Sequence, residues 1–365
     1  MTVGIEVARH DLRTVRVVDA PPAAPADGEA RIDVRSFGLT ANNITYAVFG
    51  EAMHYWDFFP APDGDGHWWG RVPVWGFGKV AVSRSPGLEP GTPVFGYFPM
   101  AGELLVRPGR LGGGGFSDTA AHRAALPSVY NRYTLVDDDP GFTAGHEAQD
   151  MLLRPLFVTS FVIDDFLGDH DLFGATTAVV SSASAKTAIG SAYLLGRRPG
   201  LEVVGLTSAA NVAFVEGLGC YDRVVPYEAV DGLPVADAVF VDVAGRNDVT
   251  AAVHARYGDR LRYSMVVGDT HWEDASARGG PLAGPRPQFL FAPDQIAKRQ
   301  QDWGRDGYEA AVAAAWTEMV GFTDGWLQVR HADGPAQVEA VYRHLLDGDV
   351  DPRVGHVCTL GVSDD

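Results

Sequence analysis

The stretch from Thr177 to Tyr227 constrains the fold more than any other part of the chain. A short apolar run, Ala178-Val179-Val180, leads into the small-residue turn Ser181-Ser182-Ala183-Ser184-Ala185-Lys186-Thr187-Ala188. A helical apolar pattern follows at Ile189, Ala192, Tyr193 and Leu195, and Gly196-Arg197-Arg198-Pro199-Gly200 breaks it. A second buried strand runs from Glu202 to Ser208, a second helix from Asn211 to Leu218 ends at Gly219, and Tyr221 to Tyr227 supplies a third strand and its exit. Strand, turn, helix, strand, helix, strand is the rhythm of a parallel, doubly wound sheet. Crossovers in such sheets are right-handed, and a ligand is expected beyond the carboxyl ends of the strands. The expected ligand is a nucleotide cofactor.

The turn itself departs from the glycine-rich form that lets a bare backbone approach a pyrophosphate. Ala183, Ala185 and Ala188 stand at the positions equivalent to those glycines. Ser182, Ser184, Lys186 and Thr187, with Ala185 between them, place donors where a helix N-terminus would meet phosphate. The same serines would serve as helix caps if nothing bound there. At the end of the second strand stand Thr207 and Ser208, with Asn211 close behind and no acid. A carboxylate there would favour a free ribose 2′-hydroxyl, so uncharged donors favour NADP(H) over NAD(H), the other reading being an ordinary helix cap.

Composition narrows the partners. The chain has 365 residues, enough for two domains, and a formal net charge of −18 from 29 basic and 47 acidic residues. That balance argues against nucleic acid or an anionic membrane as partner, and points to a small-molecule substrate. Lysine occurs only at Lys79, Lys186 and Lys298, so one of three lies at the phosphate turn. Cys220 and Cys358 are too few and too far apart for a disulfide framework, and a cytoplasmic location is expected. Met1 to Arg9 has no apolar signal core, and no run is long enough to span a bilayer. A homodimer is left open.

Before the doubly wound region, the chain reads as short strands between Gly/Pro turns: Thr14 to Val18, Ala30 to Ser36, Val72 to Phe98 and Glu103 to Arg107. That pattern suggests a small barrel. Residues 51–70 are rich in aromatics, including Tyr55 and Trp56, and are expected to cover a site or pack a partner. Asp63-Gly64-Asp65-Gly66 resembles part of a calcium loop without its closing Glu, and a plain turn is the simpler reading. Met151 to Leu167 is expected to form one long helix. After Tyr227, strands are expected at Ala238 to Val243, Leu261 to Val267 and Gln288 to Ala292, and a helix at Tyr308 to Met319. A strand (Trp326 to Val329), a helix (Pro335 to Leu346) and a last strand (Gly355 to Leu360) close the chain.

This order resembles the medium-chain dehydrogenase/reductase superfamily. The turn Val94-Phe95-Gly96, the helix start Val158-Thr159-Ser160-Phe161, Gly219-Cys220-Tyr221-Asp222 and Gly355-His356-Val357-Cys358 carry the likeness. Arg154 to Phe161, Ser181 to Ala188 and Gly268-Asp269-Thr270-His271-Trp272 are similar to its divergent branch, the family of unknown function number 2855. The resemblance implies an α/β fold: a GroES-like β-barrel catalytic domain over 1–155, a Rossmann-type doubly wound cofactor domain over 156–300, and a return to the barrel over 301–365. Where zinc-dependent members carry Cys and a Gly-His-Glu element, this chain has Thr40 and Phe77-Gly78, so no zinc is expected.

Zinc-free members resembling quinone and enoyl reductases pass hydride from NADPH to an activated double bond. The resemblance puts Tyr46 where such relatives carry a Tyr, with Asn43 one helical turn earlier on the same face. A phenol could donate to an enolate and an amide could polarise a carbonyl; a core tyrosine and a capping asparagine are the alternative. His271 is a candidate acid/base or ribose contact, against a structural histidine, and Gly268 and Tyr227 are candidate cofactor contacts. Arg154, Thr159, Tyr55 and Trp56 are candidate substrate contacts, with Asp164 or Asp165 as the alternative partner of Arg154. Lys298-Arg299 reads as a solvated helix face. The expectation is a zinc-free, NADPH-dependent reductase of an enone, enoyl thioester or quinone in a cleft between two domains. The alternative is a lyase, isomerase or binding protein on the same fold with a decayed dinucleotide site.

Overall fold

A computed structural model describes residues 1–62, 68–267, 282–348 and 350–361. The chain divides into two compact units, Met1–Leu152 with Leu327–Asp365, and Leu153–Trp326.

The first unit opens with β1 (Thr2–Ala8), β2 (Asp11–Ala20) and β3 (Ala30–Leu39), followed by α1 (Ala41–Val48). Next come β4 (Trp69–Gly70), β5 (Pro73–Ser83), β6 (Pro93–Pro99), β7 (Glu103–Val106), β8 (Gly115–Ser117) and β9 (Arg132–Leu135), then the short α2 (Glu147–Leu152). The first strand was not foreseen from sequence, although Val3, Ile5 and Val7 alternate with Gly4 and Glu6 at strand period. Glu6 is a buried carboxylate held by Arg16 (2.7 Å) and Arg71 (2.9 Å), so a charge occupies a core position only because two guanidinium groups meet it.

The aromatic segment 51–62 is core rather than cover. Trp56 is 1% exposed, and Phe58 and Phe59 are buried with it. Gly50 and Gly70 flank the Trp56 indole, and neither has room for a Cβ. Trp68, by contrast, is exposed. The Asp63–Gly66 run lies outside the described residues.

The second unit begins with α3 (Arg154–Asp169). Thus the single helix expected over Met151–Leu167 is two: Leu153 leaves helical geometry, and Pro155 sits in the first turn of α3, where its missing N–H costs nothing. Then follow β10 (Thr177–Val180), α4 (Lys186–Leu195), β11 (Glu202–Thr207), α5 (Val212–Leu218), β12 (Arg223–Pro226), β13 (Ala238–Asp242), α6 (Asn247–Tyr257), β14 (Leu261–Val266) and β15 (Gln288–Phe289). The sheet is parallel throughout, in the order β12-β11-β10-β13-β14-β15. The order reverses beside β10, which makes the carboxyl ends of β10 and β13 the switch point. Val179, Val204 and Phe240 pack on one face, and Ala178, Val203 and Val239 on the other, so the near-continuous apolar runs are those of strands covered on both faces.

The unit ends with α7 (Ala292–Thr323), interrupted at Gly304, where φ is 74°. The chain therefore leaves this unit after Trp326 rather than at 301. The buried residues of α7 lie on both sides of the kink, Gln295 before Gly304 and Tyr308 to Thr323 after it, and α7 packs on α3. Arg299 in α7 is not a solvated residue: it is 11% exposed and pairs with Asp165 (2.7 Å) and Asp169 (2.9 Å) of α3.

Back in the first unit, β16 (Gln328–Asp333), α8 (Pro335–Asp347) and β17 (Val354–Thr359) complete the chain. The large sheet runs β16-β17-β3-β5-β6-β9-β8, with β7 also on β3. The Tyr342 hydroxyl of α8 donates to the Leu12 carbonyl (3.0 Å), tying the returning segment to the first hairpin. Among the described residues, no helix is long and apolar enough to cross a membrane.

Candidate functional site

In the second unit, chemistry-bearing groups gather where β10, β11 and β13 end. Ser181, just past β10, donates to Asp242 Oδ1 (2.7 Å) and accepts from the N–H groups of Val243 and Ala244 (2.9 Å each). Asp242 also accepts from the Gly245 N–H (3.1 Å) and from Thr250 Oγ1 (2.7 Å). This buried acid is therefore spent on holding two turns together, and its charge is met by donors on every side.

Ser182 follows at φ 51°, in the left-handed region that favours glycine. The sequence comparison of Ala183, Ala185 and Ala188 with the fingerprint glycines thus misses the strained position by one residue. Ala183 is tolerated because Gly205 faces it: a Cβ on Gly205 would lie 2.9 Å from that of Ala183. Close helix packing is likewise supplied from elsewhere, since Gly190 of α4 lies against Ser160 of α3. The Ser160 hydroxyl donates to the Thr187 carbonyl (2.8 Å).

Ala185 is the N-cap of α4 and brings no side-chain acceptor to the N–H groups of the first turn, where Lys186 and Thr187 stand. A helix start of this kind is where the backbone N–H groups of a first turn can meet an anion. Ser184 Oγ accepts from Asn211 Nδ2 (3.1 Å), linking the first loop to the second. Thr207 is buried at the end of β11, and its Oγ1 has no hydrogen-bond partner among the described residues. Ser208 beside it is half-buried. The Tyr227 hydroxyl lies in hydrogen-bond reach of Ser182, and burial pushes its pKa up, so it stays a phenol. The Arg246 guanidinium lies 5.0 Å from the centre of the Tyr227 ring. Arg246 was not singled out from sequence, because no motif surrounds it; its signal is the short turn after an apolar strand. Gly268 and His271 lie outside the described residues.

A dinucleotide fits this set. The uncapped helix start and the hydroxyls of Ser182 and Ser184 suit phosphate, and the partnerless Thr207 hydroxyl at the next strand end suits a sugar hydroxyl.

The first unit brings together four tyrosines. Tyr46 of α1 packs against Tyr55 (centroids 4.7 Å apart), Tyr97 (5.6 Å) and Tyr130 (6.3 Å). Its hydroxyl accepts a long bond from Trp75 Nε1 (3.4 Å). Burial pushes the Tyr46 pKa up to about 12, so the group is a proton-bearing donor at neutral pH. Tyr97 and Tyr130 were missed from sequence; they come from β6 and from the turn before β9.

Asn43 has a different task from the one expected. Its Oδ1 accepts from the Thr40 N–H (2.8 Å) and its Nδ2 donates to the Pro73 carbonyl (2.9 Å), closing a capping box at the start of α1. Trp56 is sealed in the core and does not face a substrate, whereas Tyr55 is half-exposed. Thr40, at the position of a zinc ligand in metal-dependent relatives, is the N-cap of α1. Arg154 and Thr159 are half-buried on α3. The carboxylates weighed as partners of Arg154 are bound elsewhere, Asp164 by Arg198 (2.6 Å) and Asp165 by Arg299 (2.7 Å).

A six-stranded parallel sheet with its order reversing beside β10, and a separate strand-rich unit built from both chain ends, define a medium-chain dehydrogenase/reductase fold. Solved structures of this fold are similar over nearly their whole length. The complex of CurA with NADPH from Vibrio vulnificus has a TM-score of 0.61 at 13% identity, covering 99% of each chain. CurK enoyl reductase has a TM-score of 0.57 at 13% identity, covering 98% of this chain and 99% of that one. The quinone oxidoreductase from Coxiella burnetii has a TM-score of 0.54 at 13% identity, covering 98% of each. The chain belongs to the family described as "Protein of unknown function (DUF2855)", whose model matches residues 37–351. A search of curated proteins found no match.

Proposed function

We propose that the protein is an NADPH-dependent reductase of activated double bonds or quinones, working without zinc. The observation that carries this reading is the second unit's phosphate turn, Ser181 to Lys186, with the partnerless Thr207 hydroxyl at the neighbouring strand end. The likeness in fold to an NADPH complex and to enoyl and quinone reductases supports it.

When bound, the nicotinamide would supply hydride to the acceptor. The N–H groups and hydroxyls of Ser182, Ser184, Lys186 and Thr187 would hold the pyrophosphate, and Thr207, Ser208 and Asn211 the adenosine ribose. Arg246, over the Tyr227 ring, would set a cation beside the 2′-phosphate, the group that separates NADPH from NADH. In the first unit, Tyr46 would donate a hydrogen bond to the acceptor's carbonyl oxygen as negative charge builds there. A phenol kept protonated by burial can do this throughout the neutral range. The oxygen or the α-carbon then takes a proton from solvent.

The test is acceptor-dependent oxidation of NADPH by the purified protein, followed by absorbance, across enones, enoyl thioesters and quinones. Turnover with at least one of these, slower with NADH, is expected. No turnover with any member of the three classes would contradict the reading.

A further inference from the structure

The four tyrosines of the first unit are not an ordinary apolar core. Such a core buries phenols only with their hydroxyls paired or turned to water. Here Tyr97 is fully buried, and its hydroxyl has no hydrogen-bond partner among the described residues. Its ring lies 4.7 Å from that of Tyr130 and 5.1 Å from that of Trp75. Trp75 Nε1 meets Tyr46 Oη at a long 3.4 Å and Tyr55 Oη meets Tyr130 Oη at 3.5 Å, and the Tyr46 hydroxyl also pairs with Asn42 and Tyr130. Tyr55, Trp75 and Tyr130 are half-exposed, whereas Tyr46 and Tyr97 lie buried behind them.

The missing partner has a definite chemistry. The indole N–H can only donate, and burial holds the phenols of Tyr46, Tyr97 and Tyr130 protonated, so each has a proton to give. One oxygen with two lone pairs and no proton would accept from several of them at once. An anion is a poorer match: the guanidinium that reaches this cluster, Arg123, is already paired with the buried Asp118 (3.2 Å) and donates to Tyr133 Oη (3.1 Å) and the Phe58 carbonyl (3.3 Å). The walls are flat rings meeting edge to face, Tyr46 on Tyr97, Phe58 on Tyr97 and Tyr55 on Tyr130, which favours a planar ligand.

We infer that Tyr46, Tyr55, Tyr97 and Tyr130, with Trp75, form a binding subsite for the carbonyl oxygen of an uncharged, planar quinone, in which Tyr97 supplies a buried donor. This rests on the reductase reading and selects, among its three acceptor classes, the quinone.

The test compares duroquinone with durene, the same ring without its carbonyl oxygens, by calorimetry on the full chain without dinucleotide. Duroquinone is expected to bind at least about tenfold tighter than durene, the scale of a buried hydrogen bond. Tyr97→Phe removes only the hydroxyl; it should fold as the wild type does, lose about tenfold in duroquinone binding, and leave durene binding unchanged. Tyr130→Phe provides a second variant, from the half-exposed side of the cluster, with the same expectation. Equal binding of the two ligands, or duroquinone binding by both variants as tight as wild type, would overturn the inference. An NADPH titration of the same samples separates this from the reductase reading: NADPH binding without duroquinone binding defeats only the quinone subsite, whereas loss of NADPH binding defeats the reading beneath it.

Discussion

The Arg246 guanidinium lies 5.0 Å from the centre of the Tyr227 ring, and the Tyr227 hydroxyl in turn reaches Ser182 at the phosphate turn. A cation is thereby held beside the turn that also carries Lys186. Arg246 is exposed and forms its ion pair with its neighbour Asp248, so its removal should leave the fold intact. Arg246→Ala is expected to weaken NADPH about tenfold while changing NADH by less than about threefold. Parallel calorimetric titrations read the difference; an equal loss for both would remove Arg246 from the 2′-phosphate.

Asn43 and Tyr46 lie on one helix and should fail in different ways. Asn43→Ala leaves the buried Thr40 N–H and Pro73 carbonyl without partners, so it should cost about 1–3 kcal/mol of stability. The folded fraction should keep near-normal turnover. Tyr46→Phe should keep its stability and lose about tenfold or more in kcat, with KM for NADPH unchanged. Denaturant melts beside steady-state kinetics separate the two.

Ser182 holds a backbone conformation that costs an L residue about 1–2 kcal/mol. Ser182→Gly is therefore expected to raise the melting temperature. It also deletes the hydroxyl near Tyr227, so NADPH affinity should fall modestly. A variant that is both less stable and unchanged in binding would contradict this account of the turn.

Titration of buried groups sets the pH limits of stability. Tyr46 and Tyr133 are pushed up to about 12 by burial. In the unfolded chain each ionises near 10, so folding strength is full below about pH 10 and falls between about 10 and 12, by up to about 3 kcal/mol per tyrosine. His254 is shifted the other way: desolvation lowers its pKa, and it sits between Ser264 Oγ (2.9 Å) and the Ala283 carbonyl (2.8 Å). The unfolded chain takes up that proton first, so stability should drop as pH falls below about 6.5. His254→Gln should flatten the acid limb of a pH series of thermal melts, and leave the alkaline limb unchanged.

Much of the second unit was legible because strands buried on both faces write themselves as unbroken apolar runs, from Ala178-Val179-Val180 to Ala238-Val239-Phe240. The first half of α7 was not, because Lys298 to Asp306 is largely polar and Gly304 interrupts it; its inward contacts are Gln295 and Arg299, which periodicity does not count as core. The phosphate turn was found, yet its strain was placed on the wrong residues. A left-handed serine carries no sequence signal, and the room for Ala183 is made by Gly205, a strand away. Trp56 looked like a site residue because it stands in an aromatic-rich stretch, and the glycines that seal it, Gly50 and Gly70, are not next to it in sequence. Tyr97 and Tyr130 were invisible beside Tyr46, since only the folded sheet brings them together.

The central claim is that the second unit holds NADPH at the turn from Ser181 to Lys186. The most direct measurement is a calorimetric titration of the purified chain with NADPH and with NADH, repeated on Arg246→Ala. The account predicts micromolar binding of NADPH, weaker binding of NADH, and a loss of that preference in the variant. No heat of binding from either dinucleotide at millimolar concentration would contradict it.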